Sequence, residues 1–383
     1  VRFLAGLSMV GSFGAGLLFG FITSLETHHI PFQLVEAAGS LYLGVGQPVT
    51  SLADSDTSEP GPSFLSSGFL VAETFEVRSY PVVLVAGRDR LEVDVYEAHP
   101  RAASELGIFG LAADVRIVAG GALLQGDRIH DVGATSRRIQ IAKLAIEQGQ
   151  LTKLVVTGHA TQGVSDRFSI GGALSRLKKA HPGSHLYYVD GFFGASPELV
   201  AAKSGNLLTL RPLAGTALRG GQVSLLNSSK DLFEHRLMVE QLCDDLGGFV
   251  KELDRPARPV LFDAGRLIHL ATPMRGQLLP GVTLADVVLA IAPTAAVSGV
   301  PRISAIEILR ELELFRGKYA GIVGITDSFG DGEVYLSIRG ATIVDGHLDL
   351  VAGAGIVADS QVDAEVAEIE AKIDVVTHAL SAR

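Results

Sequence analysis

The stretch "GEVYLSIRGATIVDGHLDLVAGAGIV", residues 332–357, restricts the fold more than any other part of this chain. Hairpin-like turns at Gly330-Asp331-Gly332 and Asp345-Gly346 connect its strand-type runs. Turns this short return the chain antiparallel, whereas a parallel crossover takes a dozen residues or more and is usually a helix. Consecutive strands with no helix between them therefore argue against a doubly wound parallel sheet. They point to an α+β fold with large antiparallel or mixed sheets flanked by helices. Shorter runs upstream, "FLVAETFEV", "YPVVLVAG", "LEVDVYEA" and "DVRIVAGG", also read as strands, several with period-two alternation. Helices are expected over about 134–150, 228–254, 283–291, 303–315 and 361–380. The Pro-, Ser- and Asp-rich "QPVTSLADSDTSEPGPS" (47–63) reads as a linker. It sets an N-terminal segment, 1–62, apart from one catalytic domain over 63–383.

Charge and cysteine content narrow the function. Against 32 basic residues stand 42 acidic ones, a formal net charge of −10. No basic excess is left to neutralise phosphates, so nucleic acid is excluded as a nonspecific partner. An anionic ligand would need local Arg and Lys, or a divalent metal, to overcome that field. The single cysteine, Cys243 in "LMVEQLCDDL", rules out an intramolecular disulfide and any Cys-rich zinc site, and it reads as a packing residue in a reducing cytoplasm. Residues 3–25, "FLAGLSMVGSFGAGLLFGFITSL", carry no charge and are long enough to span a bilayer. Five glycines and several Ser and Thr weaken that helix. The stretch is read as a buried hairpin or an N-terminal extension rather than a membrane anchor.

Two acidic pairs stand out. Glu365 and Glu368 are three apart in "QVDAEVAEIEAKID", downstream of the small Gly353-Ala354-Gly355 hinge that follows an expected strand. Asp231 and Glu234 are three apart in "NSSKDLFEHRLMVEQL", with His235 adjacent. Residues at i and i+3 share a helix face. Alone, each pair is a solvated face; brought together, they supply the oxygen ligands that Mg²⁺ requires.

The order of other short stretches around these pairs carries a resemblance. "LTKLVVTG" places Lys153, "FFGASPELV" places Glu198, and "LRPLAGTALRGG" places Gly215 and Thr216. "LIHLATPMRGQL" holds His269 and "APTAAVSGVPR" forms a second tight-turn segment. "FRGKYAGIVG" holds Tyr319 and "YLSIRGA" holds Arg339. Over about residues 150–375 this run resembles the chorismate-utilising enzymes: isochorismate synthase, salicylate synthase and the synthase subunits of anthranilate and aminodeoxychorismate synthases. The resemblance implies an anthranilate synthase component I-like fold and a dianionic small-molecule substrate, chorismate. It implies Mg²⁺ held by Glu234, Glu365 and Glu368, with Asp231 assisting. Arg339 and Tyr319 would meet the enolpyruvyl carboxylate; Gly215 and Thr216 would line the ring-carboxylate side, and Gly353 and Gly355 would admit a carboxylate close to the backbone. Lys372 would balance the acidic cluster. Glu198 matches the family's general acid, Lys153 its general base, and His269 a histidine beside the reacting ring.

Three positions separate the branches of the family. Lys153 matches members that use water, where the ammonia-using branch carries Gln, so no glutaminase subunit is expected. Ala214 stands where the aminodeoxychorismate branch has a nucleophilic lysine. Ala296 resembles isochorismate synthases, where salicylate synthases tend to have Thr. The implied reaction is Mg²⁺-dependent conversion of chorismate to isochorismate. Salicylate synthesis is the alternative within the family, and a noncatalytic chorismate-binding relative the alternative outside catalysis. Two departures are present: Ala292 where a His usually precedes "PT", and Thr157-Gly158-His159 where Ser-Arg or Ala-Arg usually ends the strand.

Overall fold

A long antiparallel pairing organises the molecule: β9 (Lys153–Val164) runs against β23 (His347–Ile356) along its whole length, from Ile356 opposite Leu154 to His347 opposite Gly163. The computed structural model describes residues 15–52, 62–67, 69, 76–80, 82–87, 93–97, 122–312, 316–327 and 329–381. The expected strand "DVRIVAGG" lies outside the described residues.

The largest of three sheets among the described residues has eleven strands. On one side of the β9–β23 pair, β19 (Gly299–Val300) and β8 (Leu124–His130) both hydrogen-bond to β9. On the other side follow β22 (Gly340–Val344), β11 (Phe192–Ser196) and β10 (His185–Val189). Next come β1 (Phe32–Ala37), β2 (Ser40–Val45), β6 (Val82–Gly87) and β7 (Val93–Glu97). The second sheet has nine strands and begins β15 (Val250–Asp254), β18 (Met274–Leu278), β13 (Leu207–Arg211), β12 (Leu199–Ser204). It continues β21 (Gly332–Leu336), β20 (Ile322–Thr326), β4 (Ser63–Ser66), β5 (Glu76–Ser79), β3 (Val49–Leu52). A three-stranded ribbon joins β14 (Leu213–Leu218), β17 (Leu267–Ala271) and β16 (Val260–Asp263). Every described pairing is antiparallel, as the short turns require; Val344 pairs with His347 across Asp345-Gly346.

Eight helices complete the described residues: α1 (Ala15–Thr27), α2 (Val132–Glu147), α3 (Ile170–Ala180), α4 (Gln222–Asn227), α5 (Ser229–Leu246), α6 (Leu284–Ile291), α7 (Arg302–Leu312) and α8 (Val362–Ser381). α5 stops eight residues short of the expected end: Gly247 and Gly248 follow it, and 250–254 turn into β15. α8 and α2 lie over β9 and β23, burying Ile369, Ile373 and Ile139 against Leu154, Val156 and Ala354. Apolar burial in this helix-on-sheet layer stabilises the C-terminal half, at about 25 cal/mol per Å² removed from water.

The N-terminal expectations need correction. Of the stretch 3–25, expected as a buried hairpin or an N-terminal extension, residues 15–25 belong to the helix Ala15–Thr27, with Phe19, Phe21, Ile22 and Leu25 buried. That helix packs on α3, and the Glu26 carboxylate accepts hydrogen bonds from the Ile170 backbone N–H at 3.0 and 3.2 Å, closing the α3 N-terminus. No helix among the described residues is long and apolar enough to cross a membrane. The break expected at residue 62 does not divide the sheets. β1 pairs with β10, and β3, inside the supposed linker, pairs with β5.

Candidate active site

Side chains alternate across β9 and β23, and the register assigns each face. Leu154, Val156 and Ala354 point to the helices; Lys153, Val155, Gly353 and Gly355 point the other way, toward the ribbon. Lys153 is no solvated edge residue. It pairs with Val300 of β19, and its side chain is wholly buried. Its Nζ lies 3.0 Å from Glu234 Oε1. The expected Gly-Ala-Gly hinge is strand interior, and the missing Cβ at Gly355 makes room for this ion pair. A Cβ built there would stand 2.0 Å from Glu234 Oε1 and 2.9 Å from Lys153 Cε. Gly355→Ala is therefore expected to displace Glu234 and to lower folding stability by about 1–3 kcal/mol. An unchanged urea midpoint would mean that Glu234 does not sit over Gly355 in solution.

Glu198 follows β11 in the connection to β12, so it does not lie at a helix N-terminus as an isolated reading of Ser-Pro-Glu suggests. It is buried, and its Oε1 accepts a hydrogen bond from the Leu213 backbone N–H at 3.3 Å. Burial pushes its carboxyl up to about 7, against the pull of that N–H and of the Lys153, Arg339 and Lys372 charges. A carboxylic acid that keeps its proton near neutrality can donate one.

β14 carries a bulge that aims the next group. Ala214 pairs with Leu270 and Thr216 with His269, leaving Gly215 as the extra residue, at φ 77°. Thr216 is thereby placed so that its Oγ1 lies 3.1 Å from His269 Nδ1. On the other side of the ring, Arg339 Nη2 donates to His269 Nε2 at 3.1 Å. Because an arginine can only donate, Nε2 accepts and the proton sits on Nδ1. Burial holds His269 well below the usual histidine range, reinforced by the Arg339 and Lys372 charges. His269 is a neutral bridge that orients Arg339 and Thr216. Arg339 sits at φ 57°, in the left-handed region, while the Tyr187 hydroxyl donates to Ile338 O and Ala195 N–H to Arg339 O. Its second arm, Nη1, is buried without a hydrogen-bond partner.

The two acidic pairs meet across α5 and α8. Ser228 caps α5 through Asp231 N–H, which puts Asp231 and Glu234 in its first turns. Each glutamate expected to bind metal is paired with a lysine. Lys153 holds Glu234, Lys230 Nζ lies 2.6 Å from Glu365 Oε1, and Lys372 Nζ lies 2.7 Å from Glu368 Oε1. Burial and the Glu368 charge raise the Glu365 carboxyl; for Glu368 the effect of burial is outweighed by Lys372 and Lys230, which hold it low. Among the described residues, no three His, Cys, Asp or Glu side chains converge closely enough to cage an ion. The donor chemistry nevertheless fits a hard divalent cation: the donors are all oxygen, and Glu365 Oε2 is buried with no hydrogen-bond partner.

One cavity of about 630 Å³, part of it open to solvent, gathers most of the expected residues. Glu198, His269, Gly215 and Thr216 line it from the ribbon side. Tyr319, Arg339, Gly353, Gly355, Lys372, Glu234 and Glu368 line it from the sheet and α8. Lys153 stands behind Glu234; Asp231 and Glu365 lie outside the lining. Ala214 and Ala296 both face this cavity, so the branch-separating positions are at the site. Lys230 was not singled out from the sequence, since a lysine in a first helical turn reads as solvated.

The sequence and the fold have counterparts. The family model described as "Chorismate binding enzyme" matches residues 125–381. The vibriobactin-specific isochorismate synthase of Vibrio cholerae is 40% identical over 190 residues, 47% of this chain and 48% of that protein. The chain thus matches about half of that relative's length. In fold, the menaquinone-specific isochorismate synthase MenF of Escherichia coli superposes with a TM-score of 0.80 at 20% identity, over 95% of this chain and 91% of that one. Anthranilate synthase component I from Streptococcus pneumoniae does so with a TM-score of 0.70 at 21% identity, over 91% and 90%. With the matched model spanning its whole C-terminal two thirds, this chain belongs to the chorismate-binding enzymes.

Proposed function

We propose that this chain is an isochorismate synthase acting on chorismate with Mg²⁺, in the cytoplasm. The observation that carries the reading is one cavity in which the buried Glu198, its carboxyl raised to about 7, and an unpartnered Arg339 arm meet, with the buried Lys153 just behind. Of the relatives named above, the Vibrio cholerae and Escherichia coli proteins are isochorismate synthases, which supports the same reaction.

Arg339 Nη1 and Tyr319 bind the enolpyruvyl carboxylate, the planar guanidinium suiting carboxylate geometry. His269 keeps that guanidinium in place without titrating. Mg²⁺, held by Glu234, Glu365 and Glu368 with Asp231 assisting, would neutralise the ring carboxylate. Lys153 is the base for the water that attacks C2. The ring double bond shifts, and the C4 hydroxyl leaves as water with the proton from Glu198. One water enters and one leaves, so the reaction is an isomerisation. Ala214 offers no amine for a covalent route, and Ala296 in place of Thr favours isochorismate over salicylate as product.

The test is incubation of purified protein with chorismate and Mg²⁺, with and without EDTA, followed by chromatography. Isochorismate is expected, with turnover falling at least about a hundredfold in EDTA, since a bound cation supplies several kcal/mol of charge stabilisation. Salicylate with pyruvate would move the assignment to salicylate synthase. Bound but unconverted chorismate would make the chain a binding protein.

A further inference from the structure

A second, smaller cavity shares a single lining residue with the first, and that residue is Glu198. Apart from Glu198, its walls are apolar, with Met238 and Leu242 of α5 among them, except at Thr294 and Asp245. Thr294 is buried and its Oγ1 has no hydrogen-bond partner. A hydroxyl left so costs about 1–3 kcal/mol unless water completes it. The space holds about one water molecule, and a polar wall is what keeps such a water in place. Asp245 connects the cavity to the surface: its side chain is 13% exposed and its Oδ2 lies 3.1 Å from Arg302 Nη1. The Gln241 amide donates to its Oδ1 at 3.1 Å.

We propose that this cavity is a proton path, in which a water held by Thr294 passes protons from Asp245 to the Glu198 carboxyl. The proposal rests on the reading of Glu198 as general acid. In each turnover Glu198 loses its proton to the departing C4 hydroxyl, and Lys153 gains one from the attacking water. Before the next cycle Glu198 must regain a proton while ligand covers the main cavity, and Lys153 must release one to solvent. The two transfers balance. A path behind Glu198 lets its half proceed without waiting for the ligand to leave. Thr294 and Asp245 act through Glu198 and do not touch substrate. The charges facing Glu198 are Lys153, Arg339 and Lys372, and those facing Asp245 are Arg302 and Asp244; the path leaves all of them in place.

Thr294→Val, which keeps the side-chain shape, and Asp245→Asn test the path. Measured for each are the thermal midpoint, the chorismate Kd, kcat across pH 6–9 and the solvent deuterium isotope effect. Both variants are expected to lose roughly tenfold in kcat, less than the ~10²–10⁴ that a general acid itself contributes. Chorismate Kd stays unchanged, the loss grows above pH 7, and the isotope effect rises. Unchanged kcat and pH profile in both variants would overturn the proposal. The water is tested without turnover: Thr294→Val lowers the midpoint if the hydroxyl holds a water, and a midpoint equal or higher means a dry cavity and overturns the path. If wild-type protein makes no isochorismate, the functional reading has failed, and the midpoint still decides the hydration of the cavity.

Discussion

Glu198→Gln is expected to lower kcat for chorismate by about 10²–10⁴-fold while leaving chorismate affinity within a factor of about three. Glutamine keeps the shape and can still accept from the Leu213 N–H, but it has no acidic proton for the leaving hydroxyl. The sign of the pH dependence follows from the same geometry. Burial raises this carboxyl to about 7, so the acid form dominates below that pH and is lost above it. Wild-type kcat should therefore fall through an alkaline limb centred near pH 7, by about tenfold per unit well above it. In Glu198→Gln the residual rate should lose that limb. A variant that keeps both rate and limb would assign the acid to another group.

Lys153→Met is expected to abolish turnover and also to destabilise the fold by about 3–5 kcal/mol. Lys153 is completely buried against Glu234, and removing one member of a buried pair leaves the other charge without compensation. Methionine fills much of the lysine stem's volume, so the loss reports charge more than cavity. The double variant Lys153→Met with Glu234→Gln separates the two effects: stability should largely return, activity should not. Urea unfolding and a chorismate assay on the same preparations check this. Turnover persisting in Lys153→Met would place the base elsewhere. Unchanged stability in Lys153→Met would mean that water reaches the pair in solution.

Much of the site was legible because its residues sit at strand and helix positions whose spacing sets their direction. Glu365 and Glu368 share a face of α8 by helical period, as Asp231 and Glu234 do on α5. Arg339 and Tyr319 stood out only through the order of the motifs around them. The N-terminal part was least legible. An uncharged run such as residues 15–25 can be hairpin, helix or anchor, and burial of Phe19, Ile22 and Leu25 beside α3 decides for a helix. The chain 49–52 reads as linker from its neighbours, yet strand addition beside β5 makes it sheet.

What the sequence determined by itself was the antiparallel character of the sheets, through turns too short for a crossover, and the family, through ordered motifs over its C-terminal part. What only the tertiary structure decided was which charge meets which. The Gly215 bulge that aims Thr216 at His269, the lack of a Cβ at Gly355 that seats Glu234 on Lys153, and the pairing of Lys230 with Glu365 all join residues far apart in the chain. The physical reason is that local sequence sets the period and direction of side chains. Ion pairs and raised acidities arise from desolvation and neighbouring charge, which exist only once distant segments have packed.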